Sequence, residues 1–492
     1  MTPTLDLKDI QGIVLSGYGH LKASAYVFIQ IDHPRTAGEW LGQIIEEVSS
    51  AEPWPVVMQA GQAQKVKPQT AFNLAFTYQG LEKLGIPTDG FSVEFREGIA
   101  GGPHSWDYPE GPVNRSRRLG DIGDNDPEKW EFGGPKNEQI DFMLLLYALD
   151  DTSVSALQNK LVPGVELCGM HVVATQVTYR PEVGQEPFGF MDSMSQPVIE
   201  GTDQTDPGQP TIKAGEFLLG YRNEYNLLPP MPSYPELGKN GTYLVFRKLE
   251  QDVCGFWNYI YKEANFNPTE ARWLASKFVG RWPSGAPLVL SPEKDDPALG
   301  ADTNRNNNFM FASADPHGYL CPAGSHVRRT NPRDSLQPTP EDSLTSVSRH
   351  RILRRGRVYG PTYPADVIGY LEEEARKNKR DHFAEELASP RGLAFIAINA
   401  DLKRQFEFVQ QTWINDPHFD GLYSNRDPLL SNYCVDGVDA EVHTMVIPRH
   451  PLRREVRGIP RFVTVRAGGY FFLPGISGLK AIKARIAQNY GE

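Results

Sequence analysis

A single histidine stands just ahead of three arginines in the stretch Cys321-Pro-Ala-Gly-Ser-His-Val-Arg-Arg-Thr-Asn-Pro-Arg333. A neutral imidazole is the side chain that proteins often use to hold a haem iron from one face, and nearby arginines can pair with the two haem propionates. The stretch therefore suggests His326 as a haem ligand. On local grounds alone a surface or core histidine is more common, so the interpretation depends on other segments.

Two other segments could provide an acid-base group and a positive charge. Asp192 lies among apolar and small residues in Phe188-Gly-Phe-Met-Asp-Ser-Met-Ser-Gln-Pro197, and such a carboxylate can hold and release a proton near neutral pH. Two apolar residues directly precede Arg354 in Arg351-Ile-Leu-Arg-Arg-Gly-Arg-Val-Tyr-Gly360, which favours an arginine that points into a cavity. The ordinary alternatives are a turn aspartate and a basic surface turn.

Length and net charge limit the kinds of protein in which these segments could act. The chain has 492 residues, which is too long for one simple core, so we expect two domains or one large duplicated domain. The net charge of -11 at pH 7 argues against nucleic acid or an anionic membrane as a partner, because both require a basic surface. We therefore expect the arginine clusters to serve a smaller ligand.

The cysteines and the hydropathy pattern predict a cytoplasmic protein. The chain contains no Cys-x-x-Cys pair, which is typical of a protein from a reducing compartment. The first residues show no charged region followed by an apolar run, and no segment approaches the roughly 18 apolar residues of a membrane span. The four widely spaced cysteines are Cys168, Cys254, Cys321 and Cys434.

Other metal and nucleotide sites have weaker support in the sequence. Cys168 with His171, or His317 with Cys321 and His326, could bind a metal ion, but neither set has the paired spacing of a structural zinc site. The chain also lacks the glycine-rich phosphate loop and the dinucleotide-binding fingerprint, so nucleotide-dependent chemistry is not expected.

The hydrophobic pattern predicts strands and helices in a repeated order. Strands are predicted at 23–31, 141–148, 171–178, 241–249, 392–398 and 461–465, and helices at 40–48, 152–161, 253–264, 364–387, 401–415 and 476–490. A strand followed by a helix with a tryptophan, Trp40 or Trp257, opens each half, which suggests a duplicated unit. A proline-rich stretch near 225–240 marks the boundary, so we predict α+β domains at 1–232 and 233–492.

Together these segments resemble the dye-decolorizing peroxidase family of haem enzymes, specifically its longer members. The family's glycine-x-x-aspartate-glycine motif matches Gly189-Phe-Met-Asp-Ser193, its axial-histidine motif matches His326 to Arg333, and its distal-arginine motif matches Ile352 to Gly356. Further similar segments are Ile10-Gln-Gly12, Gly17-Tyr-Gly19, Asn73-Leu-Ala-Phe76, Gly80-Leu81, Gly241-Thr-Tyr-Leu-Val-Phe-Arg247, Gln405-Phe-Glu-Phe-Val-Gln410, Arg426-Asp-Pro428 and Gly468-Gly-Tyr-Phe-Phe-Leu-Pro474.

The resemblance implies a fold and a cofactor. It implies two ferredoxin-like domains with antiparallel sheets, of the dimeric α+β barrel type, with haem b between the sheet and the helices of the second domain. The first domain would carry the loop with Asp192. His326 would bind the iron and Arg247 and Arg328 would bind the cofactor.

The resemblance also implies catalytic roles. Asp192 would move a proton during cleavage of hydrogen peroxide, and Arg354 would stabilise the charge that separates. Asp427 would accept a hydrogen bond from the other ring nitrogen of the histidine ligand, although Asp416 and Asp420 lie in the same loop.

The implied activity is a peroxidase that uses hydrogen peroxide and a broad range of organic reductants, including dyes and phenols. Bulky dyes would react at a surface tyrosine or tryptophan, and the chain would be a monomer or a homodimer. Ser193 departs from the family motif, which has glycine there, and its side chain could narrow the peroxide site or donate a hydrogen bond to Asp192. A haem carrier or sensor with little turnover is the alternative function.

Overall fold

The computed structural model describes residues 3–59, 62–100, 111–361, 389–431 and 443–490, together with residues 369 and 373. The strands, in chain order, are β1 (Ala23–Ile31), β2 (Val56–Gln59), β3 (Gln62–Lys65), β4 (Thr70–Phe76), β5 (Phe142–Ala148), β6 (Met170–Tyr179), β7 (Val198–Ile199), β8 (Thr211–Ile212), β9 (Thr242–Gln251), β10 (Leu353–Arg354), β11 (Arg357–Tyr359), β12 (Gly392–Asn399), β13 (Thr444–Ile447), β14 (Arg454–Arg457) and β15 (Val463–Leu473).

The helices of the described residues pack around these strands. They are α1 (Pro34–Ile44), α2 (Tyr78–Lys83), α3 (Val93–Glu97), α4 (Gly111–Leu119), α5 (Asp151–Leu167), α6 (Pro235–Gly238), α7 (Val253–Glu263), α8 (Pro268–Val279), α9 (Pro297–Ala301), α10 (Phe311–Ala314), α11 (His326–Thr330), α12 (Pro340–Ser348) and α13 (Ile476–Tyr490). The segments Lys403–Glu407 and Val409–Ile414 are also helical, with the wider π-helical winding.

The main sheet closes on itself into an antiparallel barrel. Its strand order is β12-β11-β6-β1-β5-β4-β15-β9, and β9 pairs again with β12, while β10 adds a short pairing to β12. The two halves of the chain contribute β6-β1-β5-β4 and β15-β9-β12-β11, and each of these sheets has its fourth strand beside its first. Both halves thus have the ferredoxin-like strand order, which confirms the α+β expectation and explains the repeated pattern in the sequence.

Among the described residues, the strand pairing between the two sheets is narrow at both seams. One seam pairs Phe76 of β4 with Phe472 of β15, and the other pairs Tyr179 of β6 with Val358 of β11. The two halves therefore share one barrel and one interior. The predicted domain boundary between residues 232 and 233 stays a prediction. The last barrel strand of the first half ends at Tyr179 and the first barrel strand of the second half begins at Thr242, so the boundary can lie anywhere in the connection between them.

The burial of β1 shows how the barrel is covered on both sides. Tyr26 and Phe28 point into the barrel, where they meet aromatic residues of the second half such as Phe246. Val27 and Ile29 point outward into the layer of helices. Since successive strand residues face opposite sides, a strand buried on both faces reads as a continuous apolar run. That is why Ala23–Ile31 could be recognised from the sequence.

Most elements agree with the sequence prediction. The strand at 23–31 and the helix at 476–490 have the predicted bounds, and the helix predicted at 401–415 is present with π-helical winding. Most of the helix predicted at 364–387 lies outside the described residues. No helix in the described ranges is long and apolar enough to cross a membrane.

Candidate active site

A cavity of about 280 Å³ lies between the second-half sheet and the helices beside it. Strands β9, β12 and β15 provide one wall, through residues such as Leu249, Phe395 and Val465, and the helical segments after β12 provide another. The loop from Glu186 to Ser195 in the first half of the chain closes part of the rim. Both halves therefore contribute to one site, and much of its wall is apolar.

His326 lies at the start of α11 and lines this cavity. Its Nδ1 is 2.8 Å from Oδ2 of Asp427. Nδ1 therefore carries the ring proton and donates a hydrogen bond to the carboxylate. Among the described residues, Nε2 has no hydrogen-bond partner. Asp416 and Asp420, the two alternatives in this loop, do not contact the imidazole; the structure brings Asp427 to it.

The Asp427 carboxylate is itself held in place. Its Oδ1 accepts hydrogen bonds from the backbone N–H groups of Leu429 and Leu430, each at 2.8 Å, and the residue is fully buried. Burial acts to raise the pKa of Asp427, but His326 and these hydrogen bonds outweigh it and keep the pKa below its usual value. The carboxylate is therefore a fixed, ionised acceptor that sets the orientation of the imidazole.

Arg329 joins the histidine helix to the loop that carries Asp427. Its buried guanidinium donates hydrogen bonds to the backbone carbonyls of Trp413, Asp416 and Asn425. These carbonyls belong to the segment that leads into Asp427. The hydrogen bond between His326 and Asp427 thus depends on a buried arginine that makes no contact with the imidazole.

Asp192 and Arg354 face each other on the same cavity. Nη1 of Arg354 is 3.5 Å from Oδ1 of Asp192, and both side chains are about one-third exposed. Arg354 is aligned by Gln196, whose Oε1 accepts from the Arg354 backbone N–H at 3.0 Å, and by the Ser195 carbonyl, which accepts from Nη2 at 3.3 Å. The structure therefore places the predicted acid-base group beside the predicted positive charge.

Ser193 contacts both oxygens of the Asp192 carboxylate. Its backbone N–H donates to Oδ1 at 2.6 Å and its hydroxyl donates to Oδ2 at 3.4 Å. Ser193 has φ of 60°, in the left-handed region where glycine is normally favoured. The serine that departs from the family motif thus adopts a glycine-like backbone and adds a hydroxyl contact to the carboxylate.

Arg328 does not line the cavity, contrary to the prediction that it binds the cofactor. Its buried Nη1 donates to the carbonyl of Asp315 at 3.0 Å and lies 3.3 Å from Oδ2 of the same residue, while the guanidinium stacks on the ring of Phe311. Arg247 does line the cavity, but it forms a buried ion pair with Asp121. Of the three arginines in the stretch from His326 to Arg333, the one that lines the cavity is Arg333.

Three buried arginines at the cavity have no carboxylate partner within the described part of the chain. Arg281 and Arg333 donate to backbone carbonyls, including those of Asn306 and Phe309, and Arg351 donates to Gln209. Burial, together with the charge of neighbouring arginines, lowers the pKa of Arg281 and Arg351 to about 10 and that of Arg333 to about 9. This is a concentration of buried positive charge that an anionic ligand would stabilise. No pattern in the sequence marks Arg281, which follows a helix end at Gly280.

Glu186 is a further carboxyl at the cavity wall that sequence reasoning missed. It accepts hydrogen bonds from the backbone N–H groups of Phe188 and Phe190, each at 3.0 Å, and from Nε2 of Gln251 at 2.7 Å. Burial raises its pKa to about 7, against these hydrogen bonds, which lower it. Glu186 therefore fixes the backbone of the loop that leads to Asp192.

Comparison with known proteins agrees with this geometry. Residues 9–181 match the model of the DyP dimeric alpha+beta barrel domain. The chain is 31% identical over 454 residues to a dye-decolorizing peroxidase of Mycena epipterygia, covering 85% of this chain and 77% of the relative. The chain belongs to the dye-decolorizing peroxidase family. A second relative, from Auricularia auricula-judae, is 29% identical over 97% of this chain and 86% of its own length.

Solved structures show the same fold. A crystal structure of a fungal DyP-type peroxidase from Auricularia auricula-judae has a TM-score of 0.75, with 28% identity, and the match covers 99% of this chain and 100% of that one. An ancestral D-type dye decolorizing peroxidase also has a TM-score of 0.75, with 27% identity over 97% of this chain and 99% of that one. The dimeric α+β barrel type is thus confirmed, and the chain is a haem peroxidase.

The cavity of this dye-decolorizing peroxidase suits a haem. His326 lines it and has its Nδ1 engaged by Asp427, much of the wall is apolar, and Arg333 and its buried neighbours provide positive charge for carboxylate groups. Among the described residues, no three histidine, cysteine, aspartate or glutamate side chains are grouped to hold a metal ion by themselves. His326 and the buried arginines are therefore the residues that would hold the haem.

Proposed function

We propose that the chain binds haem b in this cavity and uses hydrogen peroxide to oxidise organic reductants, including dyes and phenols. The observation that carries the proposal is the buried Asp427 carboxylate, which holds Nδ1 of His326 at the cavity that Asp192 and Arg354 also line. A cytoplasmic location, inferred from the cysteines, is part of the proposal, and the oligomeric state stays open between monomer and homodimer.

Each of these residues of the cavity would have a distinct role in the reaction. Bound haem would supply the iron at which peroxide is reduced. His326 would hold that iron, and Asp427 would increase the basicity of the imidazole by accepting its other proton. Arg333 is the best placed of the arginines after His326 to pair with a propionate, so it replaces Arg328 in the proposal.

Asp192 would transfer a proton between the two oxygens of peroxide. Its carboxylate is held by the backbone N–H and hydroxyl of Ser193, so it points in one direction when peroxide enters. Arg354, 3.5 Å away, would stabilise negative charge on the departing oxygen. The apolar wall beside them would exclude bulk water and strengthen these electrostatic interactions.

The test is the absorption spectrum of the haem-loaded protein before and after one equivalent of hydrogen peroxide. We expect a Soret band that shifts with peroxide and returns when an electron donor is added. His326→Ala should lose the haem or its normal spectrum, while the matched control His418→Ala, at an exposed histidine, should keep both. A normal ferric spectrum in His326→Ala would overturn the assignment of the iron ligand.

A second pair of variants tests the proton transfer. Asp192→Ala should keep its haem but respond to peroxide far more slowly, because the charge-separating step loses its acid-base group. Asp203→Ala, at an exposed position in the following loop, should respond like the wild type. An unchanged rate in Asp192→Ala, measured by stopped-flow absorption, would assign the proton step to another group.

A further inference from the structure

A buried tyrosine behind the cavity wall is hydrogen-bonded to a buried carboxylate. Tyr470 lies on β15, is 3% exposed, and its hydroxyl donates to Oε1 of Glu407 at 2.9 Å. Other buried or partly buried tyrosines have different partners: Tyr18 donates to an amide oxygen and Tyr259 to a backbone carbonyl. Glu407 therefore gives Tyr470 a proton acceptor that those phenols lack.

Glu407 belongs to a chain of charges that can tolerate a change in its protonation. The guanidinium of Arg115 bridges Glu407 and Glu97, with Nη1 paired to Glu407 and Nη2 at 2.7 Å from Glu97. If Glu407 takes up a proton, Arg115 still has a carboxylate partner in Glu97. The change would leave no unpaired buried charge, which is the usual obstacle to proton movement in a protein interior.

Tyr470 is separated from the cavity by one aromatic ring. The ring centroids of Tyr470 and Phe406 are 6.2 Å apart, and those of Phe406 and Phe395 are 6.4 Å apart. Phe406 and Phe395 both line the cavity. Tyr470 is thus close enough for electron transfer to a group bound in the cavity, yet it is shielded from solvent.

We propose that Tyr470 is a redox-active residue that supplies an electron when no organic reductant is present, with Glu407 as its proton acceptor. Reduction of hydrogen peroxide to two water molecules takes up two electrons and two protons. Tyr470 would give one of these electrons through the cavity, its O–H bond would break, and the proton would move to Oε1 of Glu407. The bound haem would give the second electron, which an organic reductant would later replace, and the protons for water would come from solvent.

The product at Tyr470 is a neutral tyrosyl radical. A later electron from an organic reductant, with the proton returning from Glu407, restores the phenol. Loss of an electron without the proton would create a buried positive charge, which is costly. Burial also raises the pKa of Tyr470 well above its usual value, so the phenol keeps its proton until the electron leaves. Electron and proton therefore move together.

The inference rests on the proposed peroxidase function, and freeze-quench electron paramagnetic resonance tests it. Haem-loaded enzyme is mixed with one equivalent of peroxide and no reductant, and the signal is assigned to tyrosine by its narrowing in protein grown with ring-deuterated tyrosine. We expect a tyrosyl signal in the wild type and its loss in Tyr470→Phe. Tyr18→Phe, at a buried phenol with an amide partner, should keep the signal.

Glu407→Gln provides a second variant that does not depend on the Tyr470 side chain. Gln can still accept the hydrogen bond but cannot take up the proton, so the signal should fall, whereas Glu97→Gln should retain it. The Soret response to peroxide is recorded for every variant. A tyrosyl signal that persists in Tyr470→Phe beside a normal Soret response would overturn the inference and leave the peroxidase function intact. A Soret band that ignores peroxide in the wild type would overturn both.

Discussion

Replacing Glu186 by Gln should remove a pH dependence from the stability of the haem-free protein. Burial raises the pKa of the Glu186 carboxyl from 4.5 to about 7. The folded protein then holds a proton at Glu186 between these two pH values that the unfolded chain has released. By linkage, the contribution of Glu186 to stability is fully present below pH ~4.5, falls as the pH rises, and levels off above pH ~7.

The size of the effect follows from the shift. A change of one pKa unit corresponds to about 1.4 kcal/mol, so a rise from 4.5 to about 7 gives up to ~3.5 kcal/mol. This is an upper limit, because part of the Glu186 side chain faces the cavity, where water screens its charge. The variant should also lose roughly 1–2 kcal/mol at every pH, since its amide group faces donors that the carboxylate accepted from.

The assay is denaturant unfolding of haem-free protein, followed by tryptophan fluorescence at several pH values from 5 to 8. The difference in stability between wild type and Glu186→Gln should shrink as the pH rises, because the wild type loses the contribution of its proton while the variant has none to lose. Glu182→Gln, at an exposed position four residues earlier, serves as the control. Parallel pH profiles for wild type and Glu186→Gln would show that Glu186 is ionised throughout this range and would refute the reasoning.

Three further predictions follow from the site. Ser193→Val should lose ~1–3 kcal/mol of stability relative to Ser193→Gly in denaturant unfolding, because a β-branched residue is strained at a φ of 60°; equal stabilities would contradict this. Arg328→Met should lower stability by ~3–5 kcal/mol because it leaves a buried carboxylate without its ion-pair partner. Arg333→Met should chiefly weaken haem retention, measured by the ratio of Soret to protein absorbance. The reverse pattern would support Arg328 as the cofactor ligand. Asp427→Asn should raise the reduction potential of the haem in spectroelectrochemical titration, since a neutral partner makes His326 less electron-rich; a lower potential would contradict the role of the carboxylate.

The strands that could be predicted are those whose burial shows in the pattern of apolar residues along the strand itself. Ala23–Ile31 is apolar on both faces because one face lines the barrel and the other meets helices, and this pattern is visible in the sequence. The closure of the barrel was not visible. It depends on two seams, each a single residue pair, and these join residues far apart in the chain, such as Phe76 and Phe472. No local pattern marks such a contact, and only the resemblance to a family supplied the barrel.

The site residues that lie in recognisable motifs could be predicted from the sequence. Those whose side-chain position depends on the fold of the local backbone could not. His326, Asp192 and Arg354 were candidates from their residue types and neighbours, the resemblance to a family gave them roles, and the structure places them on one cavity. Asp427 could be separated from its alternatives only by the fold of its loop, which Arg329 holds through backbone carbonyls. Every residue has a backbone carbonyl, so an arginine that binds carbonyls has no particular partner residue that the sequence could reveal.

The absence of Arg328 from the cavity lining has a simple geometric cause. Helix α11 begins at His326, and each helical residue turns about 100° from the one before it, so Arg328 points almost opposite to the histidine. Thr330, four residues after His326, returns to the same face and does line the cavity. The helix then ends, and Arg333, with φ of 56°, lies beyond it where the chain has changed direction. Helical spacing therefore turns Arg328 away from the cavity, whereas Arg333, beyond the end of the helix, lines it.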